Sequence, residues 1–335
     1  MGCPTVVLNG PAGNRLLFQN DFNIIANKQP ISLTRIVGKK SILELSGEDH
    51  KRMRSAIMQF LKPEALQKFV GRMNSIIKKH FVDCWDERTL AGDLLFGLND
   101  SEEIEILSQD FTEAFKALWS LPLDLPGTAF RSELKARSRI CKRLSSLLKV
   151  RRRELHEGKF CPGQDLMSNM LSSRNENGKA MTEEEIIDNM IALMSAGHET
   201  TCNLLINVLR LLALNPHVYQ KVLEEHMEIL TKKEIDEPLT WDDIQKMKYT
   251  WKVCQETMRL ISPVFGGFRK AMKDVEFGGF VIPKGWQILN LYAKILIDYL
   301  VDEKEKTFGT AKQKESEVKI DFGKNKREGQ IKKVG

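Results

Sequence analysis

The chain has 335 residues, of which 42% are hydrophobic and 29% are charged. This is enough apolar material for a sizeable core, and the composition excludes an intrinsically disordered chain. Lysine and arginine exceed aspartate and glutamate by 51 − 45 = 6, an excess that permits an acidic partner, such as an anionic membrane or an electron donor, without requiring one. The six cysteines form neither a CxxC pair nor a zinc spacing, so we expect free thiols in a reducing compartment.

The first residues carry no recognisable targeting signal. Residues 1–19 lack a basic stretch followed by an apolar one. No segment contains the roughly 20 consecutive apolar residues that are needed to cross a bilayer. We expect either a soluble chain or one that is without its membrane anchor.

Most of the chain shows the 3.6-residue hydrophobic period of amphipathic helices. A proline- and glycine-rich loop is predicted at residues 121–130, and Thr182 with Glu185 forms a capping box before the longest apolar helix. In chain order we predict a strand at residues 5–8, helices at 14–26, 47–63, 66–85, 131–155, 186–213 and 218–230, a short helix capped by Thr240, a helix at 249–261, and a β-hairpin at 268–288.

The end of the chain differs in composition from the rest. Residues 290–335 begin with an apolar run and continue as a segment rich in lysine and glutamate. Such a composition is typical of an exposed or disordered end.

One polar motif interrupts the longest apolar helix. Ala196 and Gly197 leave a notch of small residues where a flat group could pack against the backbone, although glycine costs about 1 kcal/mol relative to alanine in a helix interior. Glu199 and Thr200 follow, and such groups are costly in an apolar helix unless they are used or paired. The motif indicates either a functional site or a kinked helix whose threonines bond to their own backbone.

Two further pairs of residues each share one helix face. Glu256 and Arg259 are spaced i, i+3 and can form an ion pair. His50 and Arg54 are spaced i, i+4 and could together hold a carboxylate. Either spacing alone is more typical of a solvated surface helix. A functional interpretation therefore depends on the order of the motifs along the chain.

Taken in this order, the motifs make the chain resemble the cytochrome P450 superfamily. The A-G-x-[DE]-T-T signature matches residues 196–201, and the E-x-x-R signature matches Glu256 and Arg259. Segments at 123–128, 239–247, 263–271 and 282–286 are similar to plant members that oxidise triterpenoids, sterols and related hormones. The resemblance implies a mainly α fold with a small β region that lacks the family's N-terminal anchor and its C-terminal haem-ligand quarter. We predict a partial domain at residues 1–288 and a non-homologous, disordered tail at 289–335.

The resemblance also implies a role for each matched residue beside a haem b cofactor. Glu199 and Thr200 would be catalytic and relay protons to dioxygen at the iron, while Ala196 and Gly197 would leave room for the oxygen and the haem. A second set would bind the haem propionates or support the fold: His50 and Arg54 for one propionate, Arg269 as a further candidate, and Glu256 with Arg259 as a buried structural pair.

The expected partners follow from the same resemblance. Electrons would come from NADPH through an NADPH–cytochrome P450 reductase, and the substrate would be a small hydrophobic molecule, either a triterpenoid or a sterol-like compound. The expected location is the cytosolic face of the endoplasmic reticulum membrane, and no nucleic acid is expected to bind.

The sequence departs from the family at the iron ligand. Members carry a cysteine thiolate in an F-x-x-G-x-R-x-C-x-G loop well after the E-x-x-R helix, and no such loop occurs in these 335 residues. Cys202 and Cys254 lie on predicted helices, and Cys161, followed by Pro162-Gly163, precedes the central helix instead of following the E-x-x-R helix. Residues 86–91 also look abridged. We therefore predict no metal-ligand set.

Three functional hypotheses remain open. The first is a family monooxygenase that is inactive as this chain, so that its status as an enzyme is uncertain. The second is a non-catalytic truncated relic or gene-model fragment that binds no haem. The third is an unrelated helical protein that uses the basic helix at 131–153 on an anionic surface, which salt-sensitive nucleic-acid binding would favour.

Overall fold

The computed structural model describes residues 3–19, 24–83, 101–116, 120–174, 178–234, 237–264 and 266–291. The chain forms two compact units. Of the described residues, unit 1 comprises those within 1–30, 200–215 and 251–291, and unit 2 comprises those within 31–199 and 216–250. Most described residues are helical and one small region is β, so the expected fold class is confirmed.

Unit 2 is built from helices. In chain order these are α2 (Ile31–Val37), α3 (Gly47–Leu61), α4 (Pro63–Leu66) with a 3-10 turn (Gln67–Phe69), α5 (Val70–Asp83), α6 (Ser101–Phe115), α7 (Ala129–His156), α8 (Leu166–Ser172), the first part of α9 (Glu183–Leu214), α10 (Pro216–Leu230), α11 (Trp241–Lys246) and the start of α12 (Lys248–Leu260). None of the helices in the described ranges is long and apolar enough to span a membrane.

The centre of unit 2 is the long helix α7. Ile140, Leu144 and Leu148 are buried at intervals of four residues, so one face of the helix is apolar along its length. That face packs against α2, α6 and α8. The Thr128 hydroxyl accepts a hydrogen bond from the Arg131 N–H at 3.3 Å and so caps the start of the helix.

Unit 1 contains the β region and helix α1 (Gly10–Gln19). Its four-stranded sheet has the order β1-β6-β3-β2, where β1 is Thr5–Asn9, β2 is Ile25–Asn27, β3 is Gly266–Ala271 and β6 is Gln287–Leu291. The strands β1 and β6 are parallel and the other pairs are antiparallel. A separate hairpin joins β4 (Val275–Phe277) to β5 (Phe280–Ile282).

Some predicted elements needed correction. The helix expected at 14–26 is wrong at its end, because the helix stops at Gln19 and Ile25 buries its side chain in β2, which pairs with β3. The strand β6 runs to Leu291, so the sheet extends past the boundary predicted at residue 288. The segments at 86–91 and 292–335, on which we made predictions, lie outside the described residues.

The turn between α2 and α3 requires a glycine. Gly38 has a φ of 115°, in the region that favours glycine, and a Cβ built on it would lie 2.0 Å from the Asp188 Cγ. The turn and the buried Asp188 side chain therefore approach each other as closely as a residue without a side chain allows.

We predict that Gly38→Ala lowers the free energy of unfolding by about 2 kcal/mol or more, because the added methyl group is strained at this φ and displaces Asp188. Urea unfolding followed by circular dichroism measures the change. Gly71→Ala is the matched control: no atom lies within 4 Å of its Cβ position in α5, so it should leave stability equal or higher. Equal behaviour of the two variants would contradict the prediction.

Candidate functional site

Helix α9 carries the predicted site and is buried along only part of its length. Ile186, Met190 and Ile191 lie in the core of unit 2, whereas Leu205 and Leu209 are 50% and 63% exposed. The apolar sequence of this helix therefore does not correspond to burial along its whole length. The reason is that the helices of unit 2 cover its first half, while no described element covers the outward face of its second half.

The change from buried to exposed occurs at the small-residue notch. Ala196, Gly197 and Glu199 are exposed, and Thr200 is half-buried. A Cβ placed on Gly197 would meet no atom within 4 Å. The notch is thus an open strip of helix backbone, which a flat group can approach closely, with a carboxylate and a hydroxyl on the next turn.

Helix α3 carries the two predicted propionate ligands and belongs to the same unit. His50 is half-buried, and Arg54 is exposed without an ion pair to any described residue. The helix is attached to the first turn of α9 by an ion pair between Arg52 and Glu185. It is attached to α8 by the Asn169 Nδ2, which donates to the Ala56 carbonyl at 2.9 Å.

The remaining predicted residues lie in unit 1. Glu256 and Arg259 do pair, with the Arg259 Nε donating to the Glu256 Oε2 at 2.7 Å. Their side chains are 54% and 61% exposed, so the expected burial is wrong for the described part of the chain: the outward face of α12 has no described element over it. Arg269 is half-buried in β3 and donates to the Phe268 carbonyl at 2.8 Å.

The described cysteines supply no ligand set for iron. Cys161 is exposed in the loop after α7, and burial raises the pKa of the Cys141 thiol on α7 and of the Cys254 thiol on α12. Among the described residues no group of three histidine, cysteine or acidic side chains is arranged to hold a metal ion.

Two polar residues that we did not predict lie in the buried half of α9. Asp188 is 1% exposed and Asn189 is 0% exposed, and both bond to the turn between α2 and α3. The sequence did contain a signal for them: an acid followed by an amide within an otherwise apolar helix is costly unless both are hydrogen-bonded.

The capping box at the start of α9 is present and is electrostatically significant. The Thr182 N–H donates to the Glu185 carboxylate at 2.8 Å, and the Glu185 N–H donates to the Thr182 hydroxyl at 3.2 Å. Burial by itself would raise the pKa of Glu185, but the hydrogen bonds from Thr182 and Arg52 outweigh it and hold that pKa below its ordinary value. The charged form of Glu185 thus links the capping box to α3.

Comparison with known proteins identifies the family. A family model described as cytochrome P450 matches residues 97–298. The chain belongs to the cytochrome P450 family. The matched range, like strand β6, continues past residue 288.

Curated cytochrome P450 relatives from plants resemble much of the chain. It is 39% identical to the taxane 10-beta-hydroxylase of Taxus cuspidata over 303 residues, which is 86% of this chain and 61% of that protein. It is also 39% identical to the beta-amyrin 28-monooxygenase of Medicago truncatula over 302 residues, again 86% of this chain and 63% of that protein. The chain therefore spans less than two thirds of the length of either relative.

Solved structures of the same fold agree. The retinoic acid-bound cyanobacterial CYP120A1 superposes with a TM-score of 0.77 at 26% identity, covering 88% of this chain and 68% of that chain. A cytochrome P450 structure named CYP102L1 superposes with a TM-score of 0.68 at 17% identity, which supports the fold alone.

The family implies a haem cofactor, and the described residues fit haem on one side only. The open notch at Gly197 suits a flat macrocycle, and His50 and Arg54 are groups that can bind a propionate. The haem iron of the family also takes one cysteine thiolate from a loop after the E-x-x-R helix, and none of the six cysteines follows α12. The described residues therefore include groups that could hold one face and the edge of a haem.

We predict that Glu185→Gln flattens the acid limb of the stability profile. Because the folded-state pKa of Glu185 is lowered from 4.5, its stabilising contribution is present above that value and is lost as the pH falls below it towards the lowered pKa. Urea unfolding at a series of pH values should therefore show a smaller loss of stability on acidification in the variant than in the wild type. Glu184→Gln, at an exposed neighbour, is the control and should keep the wild-type slope.

Proposed function

We propose that this chain forms the oxygen-side part of a haem-dependent monooxygenase that hydroxylates a terpenoid substrate. The observation that carries the proposal is the open notch at Ala196 and Gly197, followed on the same helix by Glu199 and Thr200. The family assignment supports it.

In this proposal the residues of the chain bind and orient the cofactor and deliver protons. When bound, haem supplies the iron centre at which dioxygen is activated. Ala196 and Gly197 leave room for the macrocycle, and the Thr200 hydroxyl holds a proton at its Oγ1. Glu199 is exposed, so its carboxyl group can exchange protons with solvent and pass them towards Thr200.

A second group of residues would anchor the edge of the cofactor. His50 and Arg54 lie one turn apart on α3, and Arg54 has no ion pair with any described residue. A haem propionate would supply a negative charge that pairs with Arg54 on this helix face. Arg269 on β3 is a further candidate for the same role.

The names of the relatives support the substrate class. Two of them act on a taxane and on beta-amyrin, which are polycyclic terpenoids. We infer a small hydrophobic substrate of this kind, either a triterpenoid or a sterol-like molecule, with one oxygen atom inserted into an unactivated C–H bond. Electrons would be supplied from NADPH by a reductase at the cytosolic face of the endoplasmic reticulum.

The 335-residue polypeptide is proposed to be inactive as it stands, because its cysteines include none in a thiolate loop after α12. The alternative is a non-catalytic relic or gene-model fragment that takes up no haem. We propose that residues 299–335, which follow β6 and the matched range, do not belong to the domain.

We predict that Gly197→Leu weakens haem binding by roughly tenfold or more, because overpacking a close contact costs about 1–3 kcal/mol. Leucine is a good helix former, so the helix itself should persist. Titration of the purified chain with haem, followed by the Soret absorbance, measures the affinity.

Gly71→Leu in α5 is the matched control, since its Cβ position is also free of neighbours. It should bind haem as the wild type does. A wild-type chain that binds no haem would favour the fragment alternative, and equal affinities for the two leucine variants would remove the notch from the proposed site.

We predict that the chain loaded with haem, reduced and treated with carbon monoxide, shows no thiolate-type absorption band. The difference spectrum of wild type and of Cys161→Ser tests this directly. A thiolate band that is present in the wild type and disappears in Cys161→Ser would identify Cys161 as the iron ligand. That result would contradict the proposal that the chain is inactive.

A further inference from the structure

The turn at residues 38–45 is bound to α9 by a buried carboxylate. One oxygen of Asp188, Oδ2, accepts the Lys40 N–H at 2.9 Å, and the other, Oδ1, accepts the Arg137 Nη2 at 2.7 Å. Through its Nη1, Arg137 donates to the carbonyl of Ile36 at 3.0 Å, at the end of α2. One buried ion pair thus holds the end of α2, the turn, α7 and α9 together.

The next residue, Asn189, is hydrogen-bonded both to an N–H group and to a carbonyl group of the same turn. Asn189 accepts the Ile42 N–H through Oδ1 at 2.8 Å and donates through Nδ2 to the Lys40 carbonyl at 2.9 Å. The same Nδ2 donates to the Glu185 carbonyl at 2.7 Å, one helical turn earlier. Both donors and the oxygen of this buried amide are therefore bonded to the turn or to its own helix.

The turn is anchored in unit 2 at Gly38 and Ser41, although Lys39 and Lys40 between them are exposed. Ser41 at its centre is 0% exposed, and Gly38 at its start leaves no room for a side chain against Asp188. A mobile lid would be exposed and sparsely bonded. These contacts are those of a turn that is fixed in place.

The residues of α9 that contact the turn or α3 lie on the same face of the helix as the notch. Glu185 and Asn189 are four residues apart, and Ala196 follows seven residues after Asn189, so the three lie on the same side of the helix. At a rise of about 1.5 Å per residue, Asn189 is about 10 Å along the axis from Ala196. The turn leads directly into α3, which Arg52 ties to Glu185 on the same face.

We propose that Asp188 and Asn189 are positioning residues: they lock the turn at residues 38–45 onto α9 and thereby hold α3, with His50 and Arg54, in register with the notch at Ala196 and Gly197. This inference rests on the proposed function for the identity of the group that is bound. The lock itself rests only on the contacts of unit 2.

The first test measures the lock in the full chain by hydrogen exchange. Asn189→Asp has the same shape, but its carboxylate cannot donate to the carbonyls of Lys40 and Glu185. We expect exchange at the amides of Lys40 and Ile42 to become faster on the order of tenfold, as the loss of one buried hydrogen bond predicts. The amides of Ile140 and Leu144 in the α7 core should keep their wild-type rates.

Asn207→Asp is the matched control. The Asn207 Nδ2 donates to the carbonyl four residues earlier at 2.7 Å, as the Asn189 Nδ2 does, but Asn207 has no bond to the turn. It should leave the amides of Lys40 and Ile42 unchanged. If Asn189→Asp does not fold, Asn189→Ala carries the test. Unchanged exchange at Lys40 and Ile42 in the folded variant, or an equal increase in the α7 core, would overturn the lock.

The second test asks whether α3 is held in position relative to the notch. It compares the affinity of the chain for haem and for haem dimethyl ester, whose propionates are uncharged. Asn189→Asp should lose haem affinity by about tenfold while its affinity for the ester stays near the wild-type value, since only the propionate contacts of α3 are displaced. An equal loss for both probes would overturn the role in positioning. A wild-type chain that binds neither probe would overturn the proposed function, and hydrogen exchange would still decide the lock.

Discussion

The burial of Asp188 and Asn189 inside an apolar helix is the constraint on which the rest of unit 2 depends. A buried carboxylate needs an opposite charge, and a buried amide needs partners for all its groups. Arg137 from α7 and the backbone of the turn at residues 38–45 meet those needs. The path of the chain from α2 to α3 is therefore dictated by polar groups on α9, and the apolar contacts of the core close around that arrangement.

Helix α9 consequently has two physically different halves. Its first half is held in place by the capping box, by Asp188 and Asn189, and by core residues such as Met190. The notch lies near the end of this first half, and the second half carries exposed leucines, for example Leu209 at 63%. An apolar helix face of this kind is suited to contact with a cofactor or with further protein.

The same division explains the one-sided fit to haem. Unit 2 contains the residues that we propose for the oxygen side and the edge of the cofactor, Gly197 and Arg54 among them, while no cysteine follows α12 in the sequence. A metal centre needs both sides, because the strength of the axial ligand decides the reactivity of the iron. The chemistry assigned to Glu199 and Thr200 thus depends on a ligand that these residues cannot supply themselves.

The sequence by itself determined the local features. The capping box at Thr182, the helix period of α7, the β-hairpin and the notch at Gly197 all follow from patterns within a few residues, because propensity, capping and periodicity are short-range effects. The motif order was also sufficient to recognise the family, since each signature is contiguous. It was not sufficient at Ile25, whose helical surroundings were overridden by pairing with β3.

Only the tertiary structure decided which polar groups meet. Asp188 bonds to the backbone of Lys40, 148 positions away in the chain, and Glu185 pairs with Arg52, 133 positions away. It also decided that the Glu256–Arg259 pair is exposed and that α9 is buried over one half. Such partners depend on the packing of distant helices around a shared core. A local sequence pattern can indicate that a polar group is buried and needs a hydrogen-bond partner, but it does not identify that partner.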